Sequence, residues 1–236
     1  MKYKNVITAA RSSSKQILAA VVAMAALTTG LELAGCSSSS EEVADTEEAD
    51  YLAQAEQAYN EGKYEEAFAY YQKAMPITDA SAQFRLGYMY GAGLGVSQDY
   101  AKAKEWYEKA AAQGDASAQN NLGVLYYNGE GVTQDYAKAK EWYEKAAEQG
   151  NATAQNNLGY MYGNGDGMPQ DYAKAKEWFE KAAAQGEVFA QYNLGEMYEL
   201  GKGVAQDYAK AREWYEKAAA QGFEDAVAAL ERLAEE

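Results

Sequence analysis

The sequence of 236 residues contains no histidine, a single cysteine and only two prolines. Without histidine, the chain lacks the side chain that most often performs general acid–base catalysis near neutral pH. A single cysteine cannot form an intrachain disulfide bond, and neither a serine-nucleophile motif nor a Gly-Lys-Ser/Thr phosphate loop is present. We therefore predict a protein that is not an enzyme, with no catalytic residue, no metal site and no cofactor.

Long hydrophobic runs are also lacking. The apolar run at residues 17–27, ILAAVVAMAAL, is shorter than the ~20 residues that are needed to span a bilayer. It follows a segment that contains four basic residues, and no acidic residue occurs before Glu32. This arrangement is typical of a secretory signal peptide, and the basic flank disfavours the alternative that the run is a buried core helix.

The residues Leu33-Ala34-Gly35-Cys36 resemble the lipobox of bacterial lipoproteins. The resemblance implies that residues 1–35 are removed and that Cys36 is lipidated, which would anchor the mature protein in the bacterial cell envelope. Ser37 is similar to the residues that direct lipoproteins to the outer membrane, where the chain would face the periplasm. A free thiol at Cys36 is the alternative, but an exposed thiol is unfavourable in an oxidising compartment.

Residues 36–47 are rich in serine and acidic side chains, and we expect them to form a disordered tether because they cannot bury enough apolar surface. The mature chain would carry 17 basic and 35 acidic residues, since the first 35 residues contain four basic residues and one acidic residue. Its net side-chain charge of −18 would repel nucleic acid and anionic lipid surfaces. An envelope protein or peptide, or peptidoglycan, is therefore the more suitable partner.

Beyond residue 78, the sequence repeats itself with a period of 36 residues. The segment QDYAKAKEWYEKAAAQG at residues 98–114 recurs with few changes, and the only tryptophans occupy one position in each copy. A period of this length indicates stacked supersecondary units. The repeats are residues 79–114, 115–150, 151–186 and 187–222.

Each repeat contains two apolar stripes at helical spacing. In the first repeat they consist of Ala82, Leu86, Met89 and Tyr90, and of Tyr100, Ala103, Trp106, Tyr107 and Ala110. Asp99 and Gly114 stand where an N-cap and a C′ glycine belong. We expect each tryptophan to pack between the helices of its own repeat and the next repeat, so that its truncation costs about 3–5 kcal/mol. A Glu105–Lys109 pair is expected on the exposed face.

Glycine recurs both inside the first helix of each repeat and in the loop that follows. A glycine inside a helix costs about 1 kcal/mol relative to alanine, so its recurrence at Gly87, Gly123, Gly159 and Gly195 predicts a close approach of another helix. The loops, of which GAGLGVSQD is the first, predict turns that need positive φ.

These repeats resemble the Sel-one-like repeat of the tetratricopeptide superfamily. The residues that carry the resemblance in the first repeat are Ala82, Leu86-Gly87, Tyr90, the Gly93-x-Gly95-Val96 loop, Asp99, Ala103, Trp106-Tyr107, Ala110-Ala111 and Gly114. The resemblance implies an all-α, right-handed superhelical solenoid of helical hairpins. We also predict an N-terminal hairpin at 48–78 and a capping helix at 223–236, with Val227, Leu230 and Leu233 on its apolar stripe. The expected total is eleven helices.

In tetratricopeptide-type solenoids, ligands usually bind the concave face, which the first helices line. Counted from the Leu of each Leu-Gly pair, the positions two before, two after and five after vary between repeats, and we call these the inner positions. The resulting candidate partner-binding residues are Phe84, Tyr88, Asn120, Val124, Tyr127, Asn156, Tyr160, Tyr192, Glu196 and Glu199. Plain solvent exposure of these residues is the alternative, and we expect the neighbouring Asn121, Asn157 and Asn193 to be structural.

We expect Tyr127 and Tyr160 to lie outside the core and to contact an extended peptide, whose Lys or Arg would meet Glu196 and Glu199. The resulting hypothesis is a membrane-anchored scaffold that binds an envelope protein. The alternative is a hydrolase that acts on β-lactams or peptidoglycan, because some cysteine-rich relatives of these repeats are associated with β-lactams. Those relatives carry a disulfide in each repeat, which this chain cannot form.

The predicted lipidation of Cys36 can be tested by substitution. Replacing it with alanine should leave an uncleaved precursor that no longer partitions with membranes, because two or three acyl chains contribute ~0.8 kcal/mol per buried CH₂. Gel mobility and membrane fractionation measure both effects. Normal maturation together with unchanged fractionation of Cys36→Ala would contradict the lipid anchor.

Overall fold

The computed structural model describes residues 40–235, with their side chains from residue 49 onward. The predicted signal peptide and Cys36 lie outside the described residues. Between residues 40 and 235 the chain forms eleven α-helices and no strand, which confirms the predicted all-α class. The helices are α1 (Ser40–Asn60), α2 (Tyr64–Lys73), α3 (Ala80–Ala92), α4 (Tyr100–Ala112), α5 (Ala116–Asn128), α6 (Tyr136–Glu148), α7 (Ala152–Asn164), α8 (Tyr172–Ala184), α9 (Val188–Leu200), α10 (Tyr208–Ala220) and α11 (Glu224–Ala234).

The described residues form two compact units, residues 40–115 and residues 116–235. The first unit consists of the hairpins α1–α2 and α3–α4. The second consists of the hairpins α5–α6, α7–α8 and α9–α10, followed by α11, which packs on α10. Each predicted repeat is thus one helical hairpin. None of the described helices is both long enough and apolar enough to span a bilayer.

Helix α1 begins at Ser40, within the segment 36–47 for which the sequence predicts a disordered tether. Residues 40–47 contain glutamate and alanine, which lose little conformational freedom in a helix. No proline or glycine separates them from the packed part of α1. Extending an existing helix adds one hydrogen bond per ordered residue and avoids a second nucleation step, so low apolar content alone does not end the helix.

The predicted N-caps of the second helices are confirmed. The Oδ1 atoms of Asp99, Asp135, Asp171 and Asp207 accept the backbone N–H three residues ahead at 3.0–3.1 Å. Gly114 has a φ of 91°, as expected for a C′ glycine. The capping aspartates and the C′ glycine therefore mark where the second helices start and end.

The close approach predicted by the helix glycines is a contact between glycine and an aromatic ring. A Cβ atom at Gly87, Gly123, Gly159 or Gly195 would lie within 3 Å of a ring carbon in the second helix of the same hairpin. The rings belong to Tyr107, Tyr143, Phe179 and Tyr215, and all four are at most 4% exposed. The missing side chain of the glycine is what allows each ring to reach the backbone of the first helix.

The hydroxyl groups at the tips of these rings differ in their surroundings. Tyr215 donates its O–H to Glu199 Oε2 at 2.5 Å. The Tyr143 hydroxyl is buried and has no hydrogen-bond partner among the described residues, and burial raises its pKa well above the usual value. Phe179 occupies the equivalent position in the third repeat, which indicates that the ring rather than the hydroxyl is required.

A second glycine contact joins successive hairpins through the loops. The loop glycines have the predicted positive φ, including 67° at Gly95, 73° at Gly167 and 68° at Gly203. A Cβ atom at Gly95 would lie within 3 Å of the Tyr64 backbone, and one at Gly167 or Gly203 would lie 2.5 Å from the Cβ of Tyr136 or Tyr172. The second glycine of each of these loops therefore packs on the tyrosine that begins the second helix of the preceding hairpin.

The tryptophans pack differently from the prediction. All four are half-buried, and Trp106, Trp178 and Trp214 contact clusters formed by their own first helix and the preceding hairpin, not the following one. A lysine three residues ahead lies over each indole ring, with Nζ 3.7–4.1 Å from the ring centroid. Because part of each ring is exposed, the cost of 3–5 kcal/mol expected for a fully buried side chain is too high.

The expected Glu105–Lys109 pair is wrong for the same reason, since Lys109 covers Trp106. Instead, Lys104 pairs with Glu108 at 2.6 Å, and Lys176 pairs with Glu180 at 2.5 Å. Both are exposed pairs, which contribute at most a few tenths of a kcal/mol.

The buried stripe of α11 is shifted from the predicted one. Ala226, Ala229 and Leu233 are buried, whereas Val227 is 43% exposed. The 36-residue period places Glu231 where the earlier first helices carry glycine. Glu231 is exposed, and α11 is the last described helix and packs on α10.

The glycine–ring contact generates a matched pair of substitutions in α3. Gly87→Ala should lower the free energy of unfolding by about 1–3 kcal/mol, because its Cβ would lie 2.8 Å from the buried Tyr107 ring and 3.2 Å from the Ala103 carbonyl oxygen. Gly91→Ala, with its nearest contacts at 3.5 Å, should raise it by up to about 1 kcal/mol. Urea unfolding measures both values, and equal effects of the two substitutions would contradict the contact.

The hydroxyl groups of Tyr215 and Tyr143 provide a second matched pair of substitutions. Tyr215→Phe should destabilise the protein by about 1.5–3 kcal/mol, because it removes a hydrogen bond to a carboxylate. Tyr143→Phe should be neutral or stabilising, since it removes a buried hydroxyl without a partner among the described residues. Thermal unfolding at one pH compares them, and a loss of stability in Tyr143→Phe as large as that in Tyr215→Phe would be the contrary result.

Candidate interaction surface

The inner positions of α3 remain accessible. Phe84 and Tyr88 are both half-buried. Their ring centroids are 6.4 Å apart, and the Phe84 ring also lies 5.9 Å from that of Tyr107. Burial raises the pKa of Tyr88, so its hydroxyl stays neutral at physiological pH. The first unit therefore offers an aromatic pair that is anchored on the core and partly exposed.

The asparagines at the inner positions of the second unit are not exposed, contrary to the expectation. Asn120 is 7% and Asn156 is 0% exposed. The Oδ1 atom of Asn120 accepts the Nδ2–H of Asn157, and the Oδ1 atom of Asn156 accepts that of Asn193, both at 3.1 Å. These bonds connect the first helices of successive hairpins, which confirms that Asn157 and Asn193 are structural.

The tyrosines of the second and third repeats also belong to the packing. Tyr160 is 7% exposed and lies in a core cluster with residues of α8 and α9. Tyr127 packs against Tyr160 with ring centroids 6.1 Å apart and donates its O–H to Asp166 Oδ2 at 2.7 Å. Burial and this hydrogen bond raise the pKa of Tyr127. The expectation that both rings lie outside the core is wrong, and their truncation would destabilise the fold.

The two acidic inner positions of the fourth repeat are not open to a partner, because Glu199 is ion-paired within the chain and Glu196 is buried. Glu199 accepts two hydrogen bonds from Arg232 Nη2 at 2.7 and 2.8 Å, one from its Nε at 3.1 Å, and one from Tyr215. This pairing raises the pKa of Arg232. Glu196 is 4% exposed, and Tyr192 is 7% exposed and packs against Tyr215 and Phe223. The structure therefore does not present these residues to a basic side chain of a partner.

Close packing of neighbouring first helices explains these outcomes. Helix α9 contacts α7 directly as well as its own hairpin partner, so side chains two before and two after the Leu-Gly leucine lie between first helices. In the second unit, Val124 and Tyr127 are the candidate residues that keep partial exposure without an ion pair. The candidate surface thus reduces to Phe84 and Tyr88 in the first unit and to Val124 and Tyr127 in the second.

Pairs of glutamines were missed by the sequence analysis. The Nε2–H of Gln113, Gln149, Gln185 and Gln221 donates to the Oε1 of Gln83, Gln119, Gln155 and Gln191 at 2.7–2.9 Å. Each pair joins the end of a second helix to the start of its own first helix. Their identity in all four copies is the signal that could have revealed this structural role.

No group of three or more Cys, Asp or Glu side chains between residues 49 and 235 could hold a metal ion. An open hollow of about 340 Å³ is lined by Tyr126, Val132, Thr133, Gln134, Asp135 and Lys138. Its polar side chains are engaged, since Gln134 donates to the Tyr127 carbonyl and Asp135 caps α6.

One carboxyl group has a pKa shifted toward neutrality. Burial raises the pKa of Glu187 to about 7, although hydrogen bonds from backbone N–H groups oppose the shift. The side chain accepts the Ala190 N–H at 2.6 Å and caps α9. Asn151 caps α7 in the equivalent place, so the role of Glu187 is structural.

A single protein-family model matches five consecutive segments of the chain. The Sel1 repeat model matches residues 52–74, 80–115, 116–151, 152–187 and 188–223. These matches begin one residue after the repeat boundaries drawn from the sequence, and the first falls within the predicted N-terminal hairpin. No curated protein matches the chain.

Several solved structures are similar. A Sel1 repeat protein from Oxalobacter formigenes shares 37% identity with a TM-score of 0.71, over 76% of this chain and 73% of its own. The protective antigen c5321 of uropathogenic Escherichia coli shares 38% identity with a TM-score of 0.68 over 80% of this chain, which spans only 41% of that protein. The immunity protein PA5088 from Pseudomonas aeruginosa shares 27% identity with a TM-score of 0.51, over 76% of this chain and 71% of its own.

The consecutive hairpins, the five matched repeats and these structural neighbours agree, and the chain belongs to the Sel1 repeat family of tetratricopeptide-like solenoid proteins.

Proposed function

We propose that this protein is a lipid-anchored, non-catalytic adaptor that binds a protein or peptide in the bacterial envelope. Sel1 repeat proteins bind protein partners, and one structural neighbour is described as an immunity protein. The half-exposed aromatic pair Phe84 and Tyr88 is the observation that carries the proposal for this chain. Aromatic side chains that are fixed in position bury large contact areas at low entropic cost, which is why they are enriched at interfaces.

The anchor and the location are part of the proposal and rest on the sequence alone. The lipobox-like residues ending at Cys36, the signal-like segment before them and Ser37 after them favour a lipoprotein of the outer membrane that faces the periplasm. An anchor would hold the solenoid near the membrane surface. The anchored adaptor would then meet a membrane or periplasmic partner at a high effective concentration.

The partner would contact each unit through the residues left accessible by repeat packing. In the first unit these are Phe84 and Tyr88, beside Arg85, whose guanidinium lies over the Tyr59 ring at 5.4 Å. In the second unit they are Val124 and the exposed part of Tyr127. This set is smaller than the sequence predicted, and it is aromatic and apolar rather than acidic.

The test begins with chemical cross-linking in membranes, followed by purification of the captured partner. Tyr88→Ala should then weaken binding by about 1–2 kcal/mol, mainly through faster dissociation, because it removes a ring that would be buried against the partner. Surface plasmon resonance measures the rates, and circular dichroism confirms folding.

Tyr90→Ala is the matched control on the same helix, because Tyr90 faces Phe68 and Lys102 within the first unit. This variant should keep the affinity of the parent. Equal affinities of the parent and Tyr88→Ala would refute the contact at α3, and turnover of a fluorogenic β-lactam by the purified protein would refute the non-catalytic assignment and favour the hydrolase alternative.

A further inference from the structure

Two of the loops between helices begin where an asparagine is followed directly by glycine. These steps are Asn128-Gly129 and Asn164-Gly165, and the sequence contains no other Asn-Gly pair. Each asparagine is the last residue of the first helix of its repeat, and both are partly exposed. In an Asn-Gly pair the glycine nitrogen readily attacks the asparagine side chain, because glycine has no Cβ to hinder the approach and the greatest backbone freedom.

The glycine of each step is required by the fold, whereas the asparagine is not. Gly129 and Gly165 have φ values of 73° and 76°, and an added Cβ would lie 3.1 or 3.2 Å from the backbone nitrogen of the glutamine five residues ahead. Ala92 and Leu200 occupy the asparagine position in the other two repeats. The asparagine can therefore be replaced without changing the turn, which the glycine forms.

The folded chain protects both steps by engaging the attacking nitrogen. The N–H of Gly129 donates to the Leu125 carbonyl and that of Gly165 donates to the Met161 carbonyl, both at 2.9 Å. The nitrogen becomes a nucleophile only when it loses its proton, and a hydrogen-bonded amide does so only after the local structure opens. The rate of reaction at each asparagine therefore depends on how often the end of its helix opens.

Contacts between repeats hold the loop that follows Asn164. Asp166 accepts the Tyr127 O–H at 2.7 Å and the Asn164 Nδ2–H at 3.5 Å. Gly167 packs on Tyr136, where an added Cβ would lie 2.5 Å from the tyrosine Cβ. Tyr127 and Tyr136 belong to the preceding hairpin α5–α6, so opening of the chain at Asn164 must also break contacts between repeats.

We propose that Asn128 and Asn164 are sites of spontaneous deamidation, and that the contacts of Asp166 and Gly167 with the preceding hairpin slow the reaction at Asn164. In this reaction the glycine nitrogen forms a bond to the asparagine Cγ, the Cγ–Nδ2 bond breaks, and ammonia leaves with the proton of the glycine nitrogen. Water then opens either C–N bond of the cyclic imide, which yields aspartate or isoaspartate. No oxidant or reductant takes part.

Deamidation weakens the packing of the modified loop. Either product places a carboxylate on the last residue of a helix, where the negative end of the helix dipole disfavours it. Isoaspartate also adds a methylene group to the backbone, which moves the glycine N–H away from its carbonyl acceptor. At Asn164 the altered loop is the one that contacts α5–α6, so the modification loosens the contact between two repeats. The reaction needs no partner and is independent of the proposed adaptor function.

The experiment incubates the full-length protein at mildly alkaline pH, with and without urea. Peptide mapping by mass spectrometry measures the modified fraction at each asparagine over time. In urea the two steps should react at similar rates, because both are Asn-Gly pairs in an open chain. In the folded protein both should react about tenfold or more slowly, since the helix ends open only part of the time, and Asn128 should react faster than Asn164.

Tyr127→Phe tests the contact that holds the loop after Asn164. It removes the hydroxyl that donates to Asp166 and should raise the rate at Asn164 about fivefold, as expected for the loss of one hydrogen bond. The rate at Asn128 in the same molecule is the internal control and should change less. Circular dichroism confirms that the variant folds.

Asn128→Ala introduces the residue of the first repeat and should leave the rate at Asn164 unchanged. Equal rates in the folded and the urea-unfolded protein would show that the helix ends do not control the reaction. No modification of the folded protein after full conversion in urea would show that neither step reacts in the native chain. Either result overturns the proposal, as does a rate at Asn164 that Tyr127→Phe raises no more than the rate at Asn128.

Discussion

The contact between a glycine in the first helix and an aromatic ring in the second helix is the constraint on which each hairpin depends. Because glycine has no Cβ, the ring of Tyr107 reaches the backbone of α3, and the same contact recurs in the next three repeats. The ring tip then lies beside the inner position five after the Leu-Gly leucine. This explains why Glu199 is bound to Tyr215 rather than available to a partner.

Amide side chains determine how the helices are placed around these rings. The glutamine pairs join the two helices of a hairpin, and the asparagine bonds join successive first helices. The net energy of such a bond is only about 1 kcal/mol, but a buried amide left without a partner costs more. The amides therefore select one arrangement of helices more than they stabilise it, and two of the inner positions, Asn120 and Asn156, serve this selection.

The residues available for binding in such a chain are those that remain exposed after the repeats pack against one another. In the first unit this is the aromatic pair Phe84 and Tyr88 on α3, and in the second unit it is Val124 with the exposed part of Tyr127. A solenoid of near-identical repeats thus becomes specific at the few places where one repeat differs from the others.

The sequence by itself determined the fold class, the repeats, the helix caps and the loop conformation, because periodicity, capping aspartates and positive-φ glycines act over a few residues. It also predicted the close approach at Gly87, since the cost of a helix glycine must be offset. Only the tertiary structure decided which inner residues are exposed, how the tryptophans face and which carboxylates are already paired. A 36-residue period shows that Asn120 and Asn156 are equivalent, but it does not show how closely α7 approaches α9. That distance depends on the sum of many side-chain contacts between helices, and it buries Asn156 and Tyr160.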